Sequence, residues 1–146
     1  MTISPATPHR HDIGEALANA ALGFAGCRFR LHGRDPQTGL DCIGLLSATL
    51  LSVGRQCALP NGYVLRNRSL PNLAGIAAAN GFDEAAGIPR AGDILLVRVA
   101  ACQHHLMIAL GNGRFIHAHA GLKRVLIHEG CLEWQVIGHW RLTDTI

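Results

Sequence analysis

Residues 105–118 read HLMIALGNGRFIHA, with a short apolar run on each side of Gly111-Asn112-Gly113. Both runs have the length and composition of strands, and a Gly-Asn-Gly centre is typical of a tight hairpin turn. Strand alternation places His105 on one face of the first strand, and His117 and His119 on one face of the second. This stretch therefore predicts a β-hairpin that presents histidines from two paired strands.

The hairpin belongs to a series of strand-like segments that follows Pro89. In chain order the segments are DILLVRV, HHLMIAL, RFIHAH, RVLIHE and QVIGHWRL. Gly and polar turns separate them, and this spacing is typical of an antiparallel meander. We expect the C-terminal half to form an antiparallel sheet of about five strands.

The N-terminal half has the periodicity of helices. A first helix is predicted from Asp12, as N-cap of a capping box, to about Gly23. The apolar run DCIGLLSATLLSVG predicts a second helix, and a short Ala-rich third helix opens at Pro71 and closes at Gly81. Residues 60–69 read as an irregular connection. Helices ahead of a meander predict an α+β fold in which the N-terminal helices pack on the sheet.

The composition indicates one domain over residues 1–146. With 146 residues, 49% of them hydrophobic, the chain can close one core but is cramped for two. The net charge of +3 is spread along the chain, which argues against a nucleic-acid binder. The first twenty residues lack the apolar core of a signal peptide, and no stretch approaches the roughly 18 apolar residues of a membrane span. Five cysteines without a CxxC pair favour neither a disulfide framework nor a zinc–thiolate site.

Cys42 follows Asp41 at the junction between a Gly- and Arg-rich loop and the second helix. The free N–H groups and the macrodipole of a helix start lower the pKa of a thiol and can line an oxyanion hole. His105 could take the thiol proton and pass it to a leaving amine, while His117 holds the imidazole tautomer. A small buried cysteine is the ordinary alternative. Two histidines on paired strands favour the nucleophile.

A histidine-rich metal site is the alternative from another chemical class. His104, His105, His117 and His119 lie on two predicted strands, and imidazole suits zinc, copper or nickel. Against this, His104 and His105 point to opposite faces, and no Asp or Glu lies in these strands. Four other histidines are expected to be bystanders bound to backbone carbonyls: His9, His11, His128 and His139.

Three blocks in the order GLDCIGLL, PRAGDILLV and HLMIALGNGRFIHA resemble the NlpC family of papain-like cell-wall peptidases. The family pattern is a GxDCSGL nucleophile helix, a PGD turn and an HVGIYLGNGxxIHA hairpin, so the resemblance covers about residues 26–120. It implies a papain-like fold with Cys42 as nucleophile, His105 as base and His117 as third catalytic residue. It also implies a peptidoglycan stem peptide as substrate, and no metal or organic cofactor.

The chain departs from the family pattern near the nucleophile. Phe29 stands where many members carry a Tyr whose hydroxyl helps to form the oxyanion hole, so His32, Arg30 or a backbone group must replace that donor. His32 also replaces the first glycine of the usual double-Gly loop. The predicted substrate-binding residues are Phe29, Arg30, His32, Asp41 and His119.

The Trp140-Arg141-Leu142 ending is similar to the closing strand of phage-tail and gene-transfer members. Together with the missing export signal, it predicts a protein made in the bacterial cytoplasm and delivered to the wall by a tail-like or secretion assembly, whose proteins would be its partners. Two alternatives stay open, a non-catalytic tail- or wall-binding module of the same fold and a transferase. Arg28, Arg30 and Arg34 either bind substrate carboxylates or solvate a loop.

Overall fold

The computed structural model describes residues 10–56, 73–101 and 103–143. Its helices are α1 (Arg10–Leu22), α2 (Cys42–Ser52) and α3 (Leu73–Ala79). Its strands are β1 (Arg34–Asp35), β2 (Gly39–Leu40), β3 (Phe82–Glu84), β4 (Ile94–Ala100), β5 (Gln103–Gly111), β6 (Arg114–His119), β7 (Arg124–Glu129) and β8 (Gln135–Leu142). Within these ranges, no helix has the length and apolar character needed to cross a bilayer.

The main sheet has six antiparallel strands in the order β3-β8-β4-β5-β6-β7. The five predicted strands and the α+β class are confirmed. The additional strand, β3, pairs with the end of β8. Its sequence, Phe-Asp-Glu, buries only Phe82, so it is too short to show the alternation that marks a strand.

The predicted turn between β5 and β6 is confirmed. Gly111, Asn112 and Gly113 all have positive φ, at 87°, 56° and 74°. Glycine adopts this conformation without steric cost, and asparagine tolerates it better than most residues. The turn brings Ile108 opposite Ile116, which fixes the register of the two strands.

One detail of the helix prediction is wrong, and another is confirmed. Residue 12 lies inside α1, which is already helical at Arg10, so the prediction that Asp12 caps this helix is wrong. An N-cap residue has non-helical backbone angles, and arginine two residues earlier is a good helix former. The prediction for α3 holds at its end, where Gly81 has φ 84°. Pro71 and residues 60–69 lie outside the described residues.

The helices pack on one face of the sheet. The buried side chains there include Leu17, Leu45, Leu50, Ile94, Ile108 and Ile116. The opposite face carries a second cluster of Leu95, Val97, Met107, Ala109 and Phe115, against which Trp134 packs. His105 and His117 share this second face by strand alternation. The fold thus places both imidazoles beside an apolar cluster rather than in open solvent.

Candidate active site

The site begins at the first turn of α2, which Asp41 caps. The buried carboxylate of Asp41 accepts hydrogen bonds from the Gly44 amide at 2.7 Å, from the His32 amide at 2.9 Å and from the Arg34 guanidinium at 2.8 Å. One carboxylate therefore holds both the helix start and the preceding loop. His32 is held in this loop with φ 61°, a conformation uncommon for a residue other than glycine.

Close backbone packing explains the glycine two residues after Cys42. A Cβ on Gly44 would come within 1.9 Å of the Gly33 carbonyl oxygen, and a Cβ on Gly33 within 2.1 Å of the Gly39 carbonyl oxygen. No other residue fits at these two positions without backbone movement. The loop thus lies directly on the first turn of α2, and the Gly-x-Asp-Cys-x-Gly spacing is a packing requirement.

The Cys42 thiol lies against β5, where it has a hydrogen bond with the backbone of Leu106. Burial raises the pKa of this thiol to about 11, and the negative charge of Asp41 adds to the rise. Backbone hydrogen bonds from Leu106, Ile43 and Cys42 itself act in the opposite direction but are weaker. The expectation of a lowered pKa at the helix start is therefore wrong, because lost hydration outweighs the helix N-terminus. The resting thiol is neutral.

Two imidazoles line the same cleft as the thiol. His105 Nε2 lies 2.7 Å from His117 Nδ1, and the ring planes meet at 80°. Burial lowers the pKa of His105 to about 4, and the neighbouring His119 lowers it further. Burial likewise lowers the pKa of His117 to about 3, together with the charges of the surrounding histidines. Two neutral imidazoles can share one hydrogen bond, in which one ring donates and the other accepts.

Trp134 covers this pair of imidazoles from the segment between β7 and β8. Its ring centroid lies 6.5 Å from that of His105 and 6.3 Å from that of His117, both edge to face. Trp134 was not predicted as a site residue. Nothing in the local pattern QVIGHWRL or in the loop before it marks this residue, because only the sheet register brings it over the imidazoles.

One cleft of about 360 Å³ contains most of the predicted site. Cys42, His105 and His117 line it, and so do four of the predicted substrate-binding residues, Phe29, His32, Asp41 and His119. Arg30 does not line the cleft and is exposed. His104, which is buried, also contributes to the lining.

Among the histidines assigned as bystanders, His128 lies 3.3 Å from the Cys131 carbonyl oxygen, as predicted. His139 does not follow the prediction. Its Nε2 binds the carboxylate of Asp93 at 2.6 Å, and Arg141 binds the same carboxylate through two nitrogens at 2.9 and 2.8 Å. A buried carboxylate attracts ionisable partners more strongly than a carbonyl does. The side chains of His9 and His11 lie outside the described residues.

The metal alternative gains no support from residues 10–56, 73–101 and 103–143. No group of three or more His, Cys, Asp or Glu side chains in these ranges has an arrangement that could hold a metal ion. The imidazoles of His105 and His117 are instead directed at each other.

Comparisons with known proteins agree with this fold and include the residues of the cleft. The model of the NlpC/P60 family matches residues 26–141, which is most of the chain and includes the whole cleft. This chain belongs to the NlpC/P60 family. Its resemblance to the NlpC pattern and its α+β fold are thereby confirmed.

Several known proteins are similar to this chain. The NlpC/p60 domain of the peptidoglycan hydrolase SagA is 26% identical, with a TM-score of 0.56 over 80% of this chain and 88% of that one. The peptidoglycan hydrolase RipB from Mycobacterium tuberculosis is 19% identical, with a TM-score of 0.62 over 90% of this chain and 65% of that one. NlpC2 from Trichomonas vaginalis is 20% identical, with a TM-score of 0.69 over 99% and 49%.

Protein P54 from Enterococcus faecium is 28% identical over 122 residues, which are 83% of this chain and 20% of that protein. The NlpC/P60 chain thus spans a fifth of the length of Protein P54 and about half of NlpC2.

Proposed function

We propose that this NlpC/P60 chain is a cysteine peptidase or amidase that hydrolyses an amide bond in peptidoglycan stem peptides. Family membership supports a hydrolase acting on the cell wall, since SagA and RipB are both peptidoglycan hydrolases. The observation that carries the assignment of residues is the 2.7 Å contact between His105 and His117 beside a cleft that Cys42 also lines. A Cys–His pair with a third group orienting the base is the set that thiol-dependent amide hydrolysis requires.

We infer the reacting nitrogen of His105 from the contact between the two imidazoles. If His105 Nε2–H donates to His117 Nδ1, then His105 Nδ1 keeps its lone pair for the thiol proton. His117 acts as a positioning residue, because it holds His105 in this tautomer. The same role belongs to a carboxylate or an amide in other catalytic triads.

In the first half of the reaction, the Cys42 sulfur attacks the substrate carbonyl while its proton passes to His105 Nδ1. The tetrahedral intermediate collapses to a thioester, and the amine leaves with the proton from His105. In the second half, His105 takes a proton from water, which attacks the thioester and releases the acid and the Cys42 thiol. Because both groups rest in their neutral forms, proton transfer accompanies the attack and no preformed thiolate is needed.

Phe29 leaves the oxyanion without a tyrosine hydroxyl. The backbone N–H of Cys42, in the first turn of α2, is the first donor that we assign to this role. His32 lines the cleft beside the nucleophile and is the second, whereas Arg30 lies outside the cleft lining. The absence of the hydroxyl also favours the alternative of a wall-binding module without catalysis.

Delivery by a phage-tail-like assembly belongs to the same proposal and rests on the likeness of the Trp140-Arg141-Leu142 motif to the closing strand of phage-tail members. Arg141 binds Asp93, and Trp140 packs on the core beneath α2. These contacts account for Arg141 and for the packing of the Trp140 ring without a tail protein, whereas the buried Trp140 Nε1 has no hydrogen-bond partner within the described residues. Isolation of assembled particles that contain this chain would test the delivery route.

The decisive experiment combines thiol labelling with digestion of purified peptidoglycan. Wild-type protein should release stem-peptide fragments, identified by mass spectrometry, and both Cys42→Ala and His105→Ala should abolish release. Cys131→Ala, which removes an exposed cysteine, is the matched control and should retain activity. Intact peptidoglycan after wild-type treatment, with binding retained, would favour the non-catalytic module.

A further inference from the structure

A group of exposed cations lies beside the cleft, and we call it the basic ledge: Arg28, Arg30, Lys123 and Arg124. The chain segments 26–30 and 123–125 meet here, although they are far apart in sequence. Arg28 forms an antiparallel bridge with Arg124, and the Phe29 amide donates to the Lys123 carbonyl at 3.0 Å. All four side chains are exposed.

The ledge continues directly from the cleft. In the register of β6 and β7, His119 lies opposite Arg124, and Arg124 lies opposite Arg28. Directly opposed residues in antiparallel strands point to the same side. At a strand spacing of about 4.8 Å, this row runs about 10 Å from the cleft-lining His119 to Arg28.

The row starts with a hydrogen-bond donor. His119 Nδ1 accepts a hydrogen bond from the Leu122 amide at 2.9 Å, so a neutral His119 carries its proton on Nε2. The row therefore consists of one N–H donor inside the cleft followed by two guanidinium groups. Its chemistry is that of an anion-binding surface.

No acidic side chain neutralises the ledge in the part of the chain that the structure describes. The carboxylates that form ion pairs within the described residues are Asp41, bound by Arg34, and Asp93, bound by His139 and Arg141. Like charges directly opposite in a sheet are destabilising, so the facing Arg28 and Arg124 weaken local pairing. An anionic ligand would remove this repulsion.

We propose that the basic ledge binds carboxylates of the stem peptide beyond the bond that is cleaved. This inference rests on the proposed function. An extended peptide advances about 3.3 Å per residue, so about three residues span the distance from His119 to Arg28. The guanidinium group of arginine binds a carboxylate through two parallel hydrogen bonds. Continuity with the cleft favours a part of the substrate over a separate wall polymer.

The test compares two double variants that lose the same charge. Arg28→Gln with Arg124→Gln changes the ledge. Arg90→Gln with Arg114→Gln removes two arginines that lie outside both the ledge and the cleft lining, one exposed and one half-buried. The substrates are a synthetic stem tetrapeptide with free carboxylates and the same peptide with those carboxylates amidated. At low salt the ledge variant should raise KM for the free acid about tenfold, with kcat unchanged.

The tenfold difference should shrink in about 1 M salt, where charges are screened within roughly 3 Å. It should be absent for the amidated peptide. Equal KM values for the ledge variant and the control variant would overturn the proposal.

Binding measured in a Cys42→Ala background separates this inference from the proposed function. If wild-type protein cleaves nothing but binding of the free acid still depends on the ledge, the ledge stands and the hydrolase proposal fails. If cleavage proceeds and neither variant changes KM or binding, the hydrolase stands and the ledge fails. A loss confined to binding of soluble poly(glycerol phosphate) would assign the ledge to a wall polymer and overturn the peptide assignment.

Discussion

At the scale of single residues, the proposed mechanism depends on keeping the Cys42 thiol and the His105 imidazole neutral. Burial raises the pKa of the Cys42 thiol to about 11 and lowers that of His105 to about 4. When Cys42 and His105 share one proton, these pKa values keep that proton on the sulfur, so the neutral thiol and imidazole outweigh the thiolate–imidazolium pair. The cleft makes this possible because the apolar cluster and Trp134 limit hydration of the imidazoles.

His117 is expected to act through His105. His117→Ala should lower kcat by roughly 10²- to 10⁴-fold, because His105 loses the acceptor that fixes its tautomer. His117→Asn supplies an amide oxygen in its place and should recover part of the loss. Steady-state kinetics on the stem tetrapeptide would measure both effects, and equal activity of the alanine variant and the wild type would contradict the role.

The pH dependence follows from the sign of the histidine shift. Only neutral His105 can accept the thiol proton, so kcat/KM should fall with decreasing pH near 4 to 5 instead of near 6.5. The rate of Cys42 alkylation by iodoacetamide in His105→Ala should rise continuously towards pH 11. A labelling plateau at neutral pH would reveal a low thiol pKa and contradict the neutral resting state.

Trp134 is expected to influence the pH at which kcat/KM falls on the acid side, or acid limb, of the pH profile. Trp134→Ala admits water to His105 and His117, which should move the fall in kcat/KM upward, towards the ordinary histidine pKa of about 6.5. Trp134→Phe keeps an aromatic cover and serves as the control, with a limb close to that of the wild type. An unchanged limb in the alanine variant would show that Trp134 only packs.

At the scale of elements, the start of α2 and the loop before it form one unit around Asp41. Asp41→Ala removes the N-cap bond to Gly44 and the bond to His32 together. The expected loss of unfolding free energy is about 1–2 kcal/mol, with a small further part from the half-exposed Arg34 pair. Chemical denaturation would measure it, and Thr38→Ala, at an exposed loop position, is the control.

At the scale of the whole molecule, stability should rise with pH between about 4 and 6.5. In this range the unfolded chain binds protons at His105 and His117 that the folded chain does not, because both pKa values are lowered on folding. Hydrogen bonds to Asp93 from Arg141, the Arg90 amide and His139 outweigh its burial and lower its pKa, so its stabilisation is lost as the pH falls below about 4.

Thermal unfolding across this pH range would measure the slope. We expect a difference of roughly 2 kcal/mol or more between pH 4.5 and 7. The double variant His105→Gln with His117→Gln should flatten it, and a slope unchanged in that variant would assign the effect to other groups.

The sequence was sufficient for the strands and for the helix start at Asp41 and Cys42, because both depend on local pattern. Alternation identified β4 to β8, and the Asp-Cys junction identified the start of α2. Features that depend on strand register or on burial could not be predicted from the sequence. Trp134 over the imidazoles, the Arg28–Arg124 bridge and the raised thiol pKa all arise from contacts between distant segments.

The neutral resting state of Cys42 has a consequence for durability. Peroxides and disulfides react with thiolates far faster than with thiols. A thiol whose pKa is about 11 is almost fully protonated at neutral pH. In the proposed mechanism, Cys42 would therefore react slowly with oxidants until a substrate carbonyl is in place.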